Sequence, residues 1–275
     1  ETQFTFKPNE TRSFSGFELT FNRVTKEDTL EGYLTTAGYI LGEIIERVTG
    51  QGIRQFLHEK IEKPMGMQYF NYGLKPEFRH LVAQNVSTGL HPALGTDLYL
   101  NRVLGGGLQM AVDVTNDHRF MDTVCPAGNI YTSAEQANRF FEMLLNGGNY
   151  QGQQILSPQT VFRATLPTSK TTIDHSLLVP MRYALGPMLG SNPVGIFGPM
   201  TGQAFGHLGF SNVLCWADPE RDISVSFLTT GKSVVGTHLA ATAKVLYQIS
   251  NQCPKIVKDQ RRSLFGTHHL ETDPV

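Results

Sequence analysis

The segment Phe205-Gly206-His207-Leu208-Gly209-Phe210-Ser211 carries the residue types and spacing best suited to chemistry in this 275-residue chain. Glycines flank a single imidazole. The residues that follow read as a hairpin: Asn212 to Ala217, the turn Asp218-Pro219-Glu220-Arg221, then Ile223, Val225 and Phe227 alternating with Ser224 and Ser226. A strand bordered by small residues can lie beside a bound acyl group, with backbone N–H groups free to hold a carbonyl oxygen. The competing reading is a tight strand start around a satisfied core histidine.

Other chemistries fit less well. No two of the nine histidines stand at i, i+4. His58-Glu59 begins like a zinc-protease motif, but position 62 is Glu, so no metal site is expected. Gly231-Lys232-Ser233 resembles the end of a phosphate-binding loop, but position 226, where the first glycine belongs, is Ser. Gly105-Gly106-Gly107 lacks a dinucleotide fingerprint and suits a turn or a close backbone approach, so no cofactor is expected. There is no G-x-S-x-G elbow, and no Lys has a Ser three residues before it. Thr229-Thr230-Gly231-Lys232 is the nearest analogue of Ser-x-x-Lys. It falls at the end of an expected strand, whereas such a nucleophile belongs at the start of a helix. Cys125, Cys215 and Cys253 form neither a disulfide framework nor a zinc pattern, and they leave the compartment open.

The elements that must position the strand are mostly helical. Ile40, Leu41, Ile44, Ile45 and Val48 fall on one helical face, with Thr35 or Thr36 as cap and Gly50 as stop. Ile53, Phe56, Leu57 and Ile61 make a second helix that ends before Pro64. Residues 65 to 130 read as irregular connection with short helices or strands, the kind of segment that builds the walls of a site. Ser133-Ala134-Glu135-Gln136 is a capping box, with Gln136 expected to reach back, and Ala137, Phe140, Phe141, Leu144 and Leu145 form the stripe behind it. Asn146-Gly147-Gly148 stops that helix, Ser157-Pro158 starts another, and Val234 to Ile249 reads as a closing helix. Helices followed by antiparallel strands and a final helix imply an α+β fold, an antiparallel sheet flanked by helices. A composition 40% hydrophobic and 17% charged is globular. A net charge of -1 argues against a nucleic-acid partner, and no segment reads as transmembrane.

Three stretches, in order, resemble the serine β-lactamase-like hydrolases, the group of class C β-lactamases, DD-peptidases and related esterases. They are Ala37-Gly38-Tyr39 through Thr49-Gly50 with Pro64-Met65-Gly66-Met67; Ala127-Gly128 with Thr132-Ser133-Ala134-Glu135 and Met143 through Gly148; and Gly206-His207-Leu208-Gly209 with Asp218-Pro219-Glu220-Arg221. The resemblance covers residues 33 to 250, within one domain at 1–254, and leaves 255–275 as a polar tail. It implies a β-lactamase/transpeptidase-like fold acting on a small-molecule ester or amide through an acyl-enzyme. His207-Leu208-Gly209 matches the His-x-Gly form of the family's third motif. By that resemblance His207 lines the site, and Leu208, Gly209, Phe210 and Ser211 meet the substrate and supply an oxyanion N–H near Phe210 or Ser211. Tyr33 is the nearest match to the catalytic Tyr, although its offset from Gly38 is unusual and no Asn stands two residues on. The Ser-x-x-Lys motif is expected in an N-terminal segment upstream of Glu1 or on a second chain, and in its absence the alternative is a non-catalytic binding or scaffolding relative. The apolar Phe205, Leu208 and Phe210 favour an ester or small amide over a penicillin.

Overall fold

The computed structural model describes residues 10–14, 17–21, 31–89, 107–174, 177, 179–210, 212–234 and 236–256, with side chains from Gly38 onward. The polar tail expected from Lys255 lies outside the described residues beyond Ile256. At the N-terminal side, β1 (Glu10–Phe14) and β2 (Phe17–Phe21) pair antiparallel. A helical and irregular stretch follows: α1 (Glu31–Thr49), α2 (Ile53–Leu57) continued by a π-helical turn His58–Glu62, β3 (Asn71–Tyr72), a 3-10 turn Pro76–Leu81, β4 (Val86–Ser87), α3 (Leu108–Asn116), α4 (His118–Asp122) and β5 (Ile130–Tyr131). Then come α5 (Ala134–Leu145), the hairpin of β6 (Asn149–Tyr150) and β7 (Gln153–Gln154), and α6 (Pro158–Thr165).

The last part builds the main sheet. Its strands are β8 (Thr172–Asp174), β9 (Val179–Tyr183) and β10 (Met188–Leu189), then, after the small pair β11 (Val194–Gly195) and β12 (Gly198–Pro199), β13 (Phe205–Gly209), β14 (Val213–Asp218) and β15 (Ile223–Phe227). The order is β15-β14-β13-β10-β9-β8, with every neighbouring pair antiparallel. β16 (Gly231–Lys232) pairs parallel with β4, and α7 (His238–Gln252) closes the fold. The architecture is the expected α+β one.

Alternation along β13 and β14 divides the core between the two faces of the sheet. Phe205 and Ala217 pack with Leu145 of α5, with Phe141 and Leu144 alongside. On the other face Leu214 and Trp216 join Met181, Met188 and Phe197, against which Leu246 and Ile249 of α7 pack. Trp216 stacks on Phe197 at 5.6 Å between ring centroids. Gly206 lies opposite Trp216, where a Cβ would collide with the Trp216 side chain and the Cys215 carbonyl. The hairpin turn is locked by a buried ion pair, Arg221 Nη1 to Asp218 Oδ2 at 2.7 Å, with Arg221 also donating to the Met200 carbonyl.

Several elements depart from the sequence reading. α1 starts at Glu31, so Thr35 and Thr36 lie inside the helix instead of capping it. Its apolar stripe does not enter the core, since Leu41, Ile44 and Val48 are exposed. Ser133 caps α5 as expected, accepting from the Gln136 N–H, but Gln136 does not reach back. Its side-chain oxygen instead accepts from the backbone N–H groups of Gln68 and Tyr69, because two donors of a crossing loop were within reach. Met143, outside the expected stripe, is the most deeply buried residue of α5. β15 is half-buried on both faces rather than on one, because α5 covers one side and the Trp216 cluster the other. The closing helix begins at His238, after a non-helical Gly236 at φ +155°, not at Val234.

Candidate functional site

β13 runs from a buried beginning to an open end. Phe205 and Gly206 are buried, whereas His207 is exposed and Leu208, Gly209 and Phe210 are half-buried. Pairing with β14 places Phe205, His207 and Gly209 on the α5 face, and Gly206 and Leu208 on the α7 face. Phe205 is therefore a core residue packed against Ala217, not an apolar wall beside His207. The Leu208 side chain packs with the Trp216 cluster, so only its backbone meets anything bound on the His207 face. Phe210 packs its ring against Leu108 and Val112 of α3, next to Val234.

His207 is not a satisfied core histidine. Its Nδ1 lies 2.6 Å from the Leu208 carbonyl oxygen. A carbonyl only accepts, so in the neutral ring Nδ1 carries the proton and Nε2 presents its lone pair. The strand thereby holds one ring nitrogen and leaves the other available as acceptor or base. Cys215, directly across on β14, shares this face. Burial pushes its thiol up, which makes it a poor nucleophile.

Beyond Gly209 the chain is cross-tied. The buried Lys232 donates from Nζ to the Phe210 carbonyl at 3.1 Å and to the Thr229 carbonyl at 2.8 Å. Its ammonium stands 5.7 Å from the Phe210 ring centroid. Asn212, at φ +63°, donates to the Gly231 carbonyl at 3.0 Å, and Thr229 Oγ1 donates to the Asn212 carbonyl at 3.0 Å. Burial draws the Lys232 amine below the ordinary lysine value. Next to it, Ser233 Oγ and His238 Nδ1 are 3.0 Å apart.

A second cluster surrounds α1. Gly38 meets the turn at residues 125–128 so closely that a Cβ there would stand 2.6 Å from the Ala127 Cα. The same approach brings the Tyr39 hydroxyl to 3.5 Å from Cys125 Sγ. Burial first, and the Cys125 hydrogen bond second, push the Tyr39 phenol up to about 12. Asn129 pins the turn, accepting from the Cys125 N–H and donating to the Phe120 and Thr123 carbonyls.

The structure thus gathers His207, Leu208 and Gly209 on one strand, with Phe210 directly after it. Tyr33 lies within the α1 backbone, its side chain outside the described residues, and Ser211 is also outside them. The sequence does not single out Lys232 or Tyr39 as site residues. Lys232 falls in two imperfect matches, to a phosphate-binding loop and to Ser-x-x-Lys, and its burial is what distinguishes it from a surface lysine.

The profile of the beta-lactamase family matches residues 23–248, most of the chain. The chain belongs to this family. It is 24% identical over 204 residues to the esterase/beta-lactamase LipL of Mycobacterium tuberculosis, a match covering 70% of this chain and 46% of LipL. It is 22% identical over 198 residues to a putative D-alanyl-D-alanine carboxypeptidase of Escherichia coli, covering 69% of this chain and 42% of that protein. Among solved structures, a family VIII carboxylesterase superposes with a TM-score of 0.65 at 21% identity, covering 80% of this chain and 57% of that one. EstA from Arthrobacter nitroguajacolicus does so with a TM-score of 0.62 at 20% identity, covering 82% and 63%. At these identities the structures establish the shared β-lactamase/transpeptidase fold. The chain spans less than half the length of these curated relatives.

Proposed function

We propose that the protein is a serine hydrolase that cleaves an ester or small amide through an acyl-enzyme. The observation that carries this reading is His207, exposed on β13 with Nδ1 committed to the Leu208 carbonyl and Nε2 left as acceptor. Family membership supports it, as do relatives whose names include esterase, amidase and carboxypeptidase.

In this mechanism a serine of a Ser-x-x-Lys motif, on a segment preceding Glu1 or on a second chain, gives its proton to the lysine amine as Oγ bonds to the substrate carbonyl carbon. The Tyr33 oxygen assists that proton transfer. The bond to the leaving alcohol or amine then breaks, and the leaving group takes the proton. Water releases the acid and restores the serine. One backbone N–H at Phe210 or Ser211 holds the oxyanion, and the strand edge at Gly209 meets the substrate. His207 presents Nε2 as an acceptor for the departing alcohol O–H or amine N–H, and the backbone of Leu208 completes the strand edge.

The protein with its native upstream sequence is expected to hydrolyse a short-chain p-nitrophenyl ester and to take a fluorophosphonate label. His207→Ala is expected to lower kcat/KM about 100-fold, in the range for a positioned proton-handling group, with little change in melting temperature. A large melting loss at unchanged specific activity would return His207 to a structural role. The alternative reading is a binding or scaffolding relative without turnover. An intact, folded preparation that neither turns over ester nor takes the label would decide for that reading.

A further inference from the structure

Burying a lysine costs free energy unless its ammonium is well served, and buried polar groups of this kind are kept where they hold something in place. Lys232 is 4% exposed, and its Nζ donates to the backbone carbonyls of Phe210 and Thr229. These carbonyls belong to two different loops. Phe210 directly follows the His207-Leu208-Gly209 strand, and Thr229 follows β15. The bonds between Asn212 and Gly231 and between Thr229 and Asn212 tie the same two loops together.

The anchor of this tether is itself fixed. Lys232 sits on β16, which pairs parallel with β4, and the Val86 N–H donates to the Thr230 carbonyl and the Thr88 N–H to the Lys232 carbonyl, each at 2.9 Å. β4 is held to α3 in turn, because the Asn85 backbone exchanges hydrogen bonds with the Asn116 side chain at 2.9 and 2.8 Å. α3 also carries Leu108 and Val112, on which the Phe210 ring packs. The open end of β13 is therefore gripped twice, by its ring and by its carbonyl, from one connected support.

We propose that Lys232 is a positioning residue of the acyl-binding site, acting through the Phe210 carbonyl. A charge-assisted bond to that oxygen restrains the backbone at the open end of β13. That is the stretch whose N–H groups the acyl-transfer mechanism uses. The proposal rests on that mechanism for its purpose, and on the hydrogen bonds above for its geometry. Burial accounts for the downward shift of the amine.

The test uses Lys232→Met, which keeps the length and removes the donors, and Lys232→Gln, which keeps an N–H donor on a shorter chain, both in the full protein. Hydrogen exchange read by mass spectrometry should accelerate at least 10-fold in peptides spanning residues 205–214 of the Met variant and remain unchanged in α5. Gln should fall between Met and wild type. Equal acceleration everywhere would make Lys232 a mere core residue and overturn the proposal, as would no local change. If Met does not fold, the same comparison is made on Gln. In a wild type that turns over p-nitrophenyl ester, Met should lower kcat at least 10-fold with KM within twofold, and unchanged kcat would overturn the positioning role. A wild type that neither turns over ester nor takes a fluorophosphonate label refutes the hydrolase mechanism instead, and the tether is then judged on exchange alone.

Discussion

Two helices with the same kind of sequence pattern end in different surroundings. α5 and α1 both carry apolar residues at helical spacing. α5 lies across β14 and β15, where Met143 is 0% exposed and Ala137 and Leu145 are buried. α1 leaves Leu41 at 59% and Val48 at 79% exposure. What α1 does bury is its small-residue side, since Gly42 is buried and Gly38 meets the turn at 125–128 in close backbone contact. An amphipathic stripe states that a helix can bury a face, but whether it does depends on a second surface of matching shape. α5 has the sheet. α1 has a turn that fits its glycines.

Substitutions on the two helices can break or sharpen this contrast. Met143→Ala should cost about 2–5 kcal/mol, read from chemical denaturation, because it empties a fully packed position. A loss under 1 kcal/mol would mean that the packing of α5 on the sheet is loose. Gln136→Ala should cost about 1–3 kcal/mol, since it strands the Gln68 and Tyr69 N–H groups that its side chain serves. Ser133→Ala, which removes the cap of α5, should cost about 1 kcal/mol.

On α1 the leading effect is pH-dependent. The Tyr39 phenol is raised from 10.0 to about 12, so the folded state holds that proton longer than the unfolded chain does. The stability it contributes is fully present below pH 10 and is lost as pH climbs through about 12. Tyr39→Phe should make the alkaline fall in melting temperature shallower. It should not abolish it, because Tyr131 is also raised to about 12. An alkaline profile identical to wild type would remove Tyr39 from that account. The smallest effect belongs to Leu41→Ala and Val48→Ala, each expected within about 0.5 kcal/mol of wild type. A loss above 1 kcal/mol for either would show that the α1 face is covered in the folded protein, and the contrast with α5 would fail.

The parts legible in the sequence share a local cause. Ser133 caps α5, Ser157 caps α6, Gly50 ends α1 at φ +70°, and the Asp218 side chain accepts from the Glu220 N–H in the turn between β14 and β15. Each is settled by residues within a few positions of one another. The misplaced features involve distant partners. Gln136 has a local option three residues away and takes loop donors some 67 positions distant instead. The start of α7 moves to His238 because the chain first runs along β4 as β16, a pairing between segments far apart in sequence.

The candidate site divides in the same way. Composition and motif order determined the α+β fold, the hairpin after β13, and His207 as the residue to watch, because a glycine-bordered imidazole and a capping serine act over one or two turns of chain. Tertiary structure alone decided that His207 faces outward, that Phe205 is core, and that Lys232 reaches across 22 positions to the Phe210 carbonyl. A buried lysine and a surface lysine are identical in sequence. What separates them is desolvation and the carbonyls that happen to surround the ammonium, and those exist only once the loops after β13 and β15 have met.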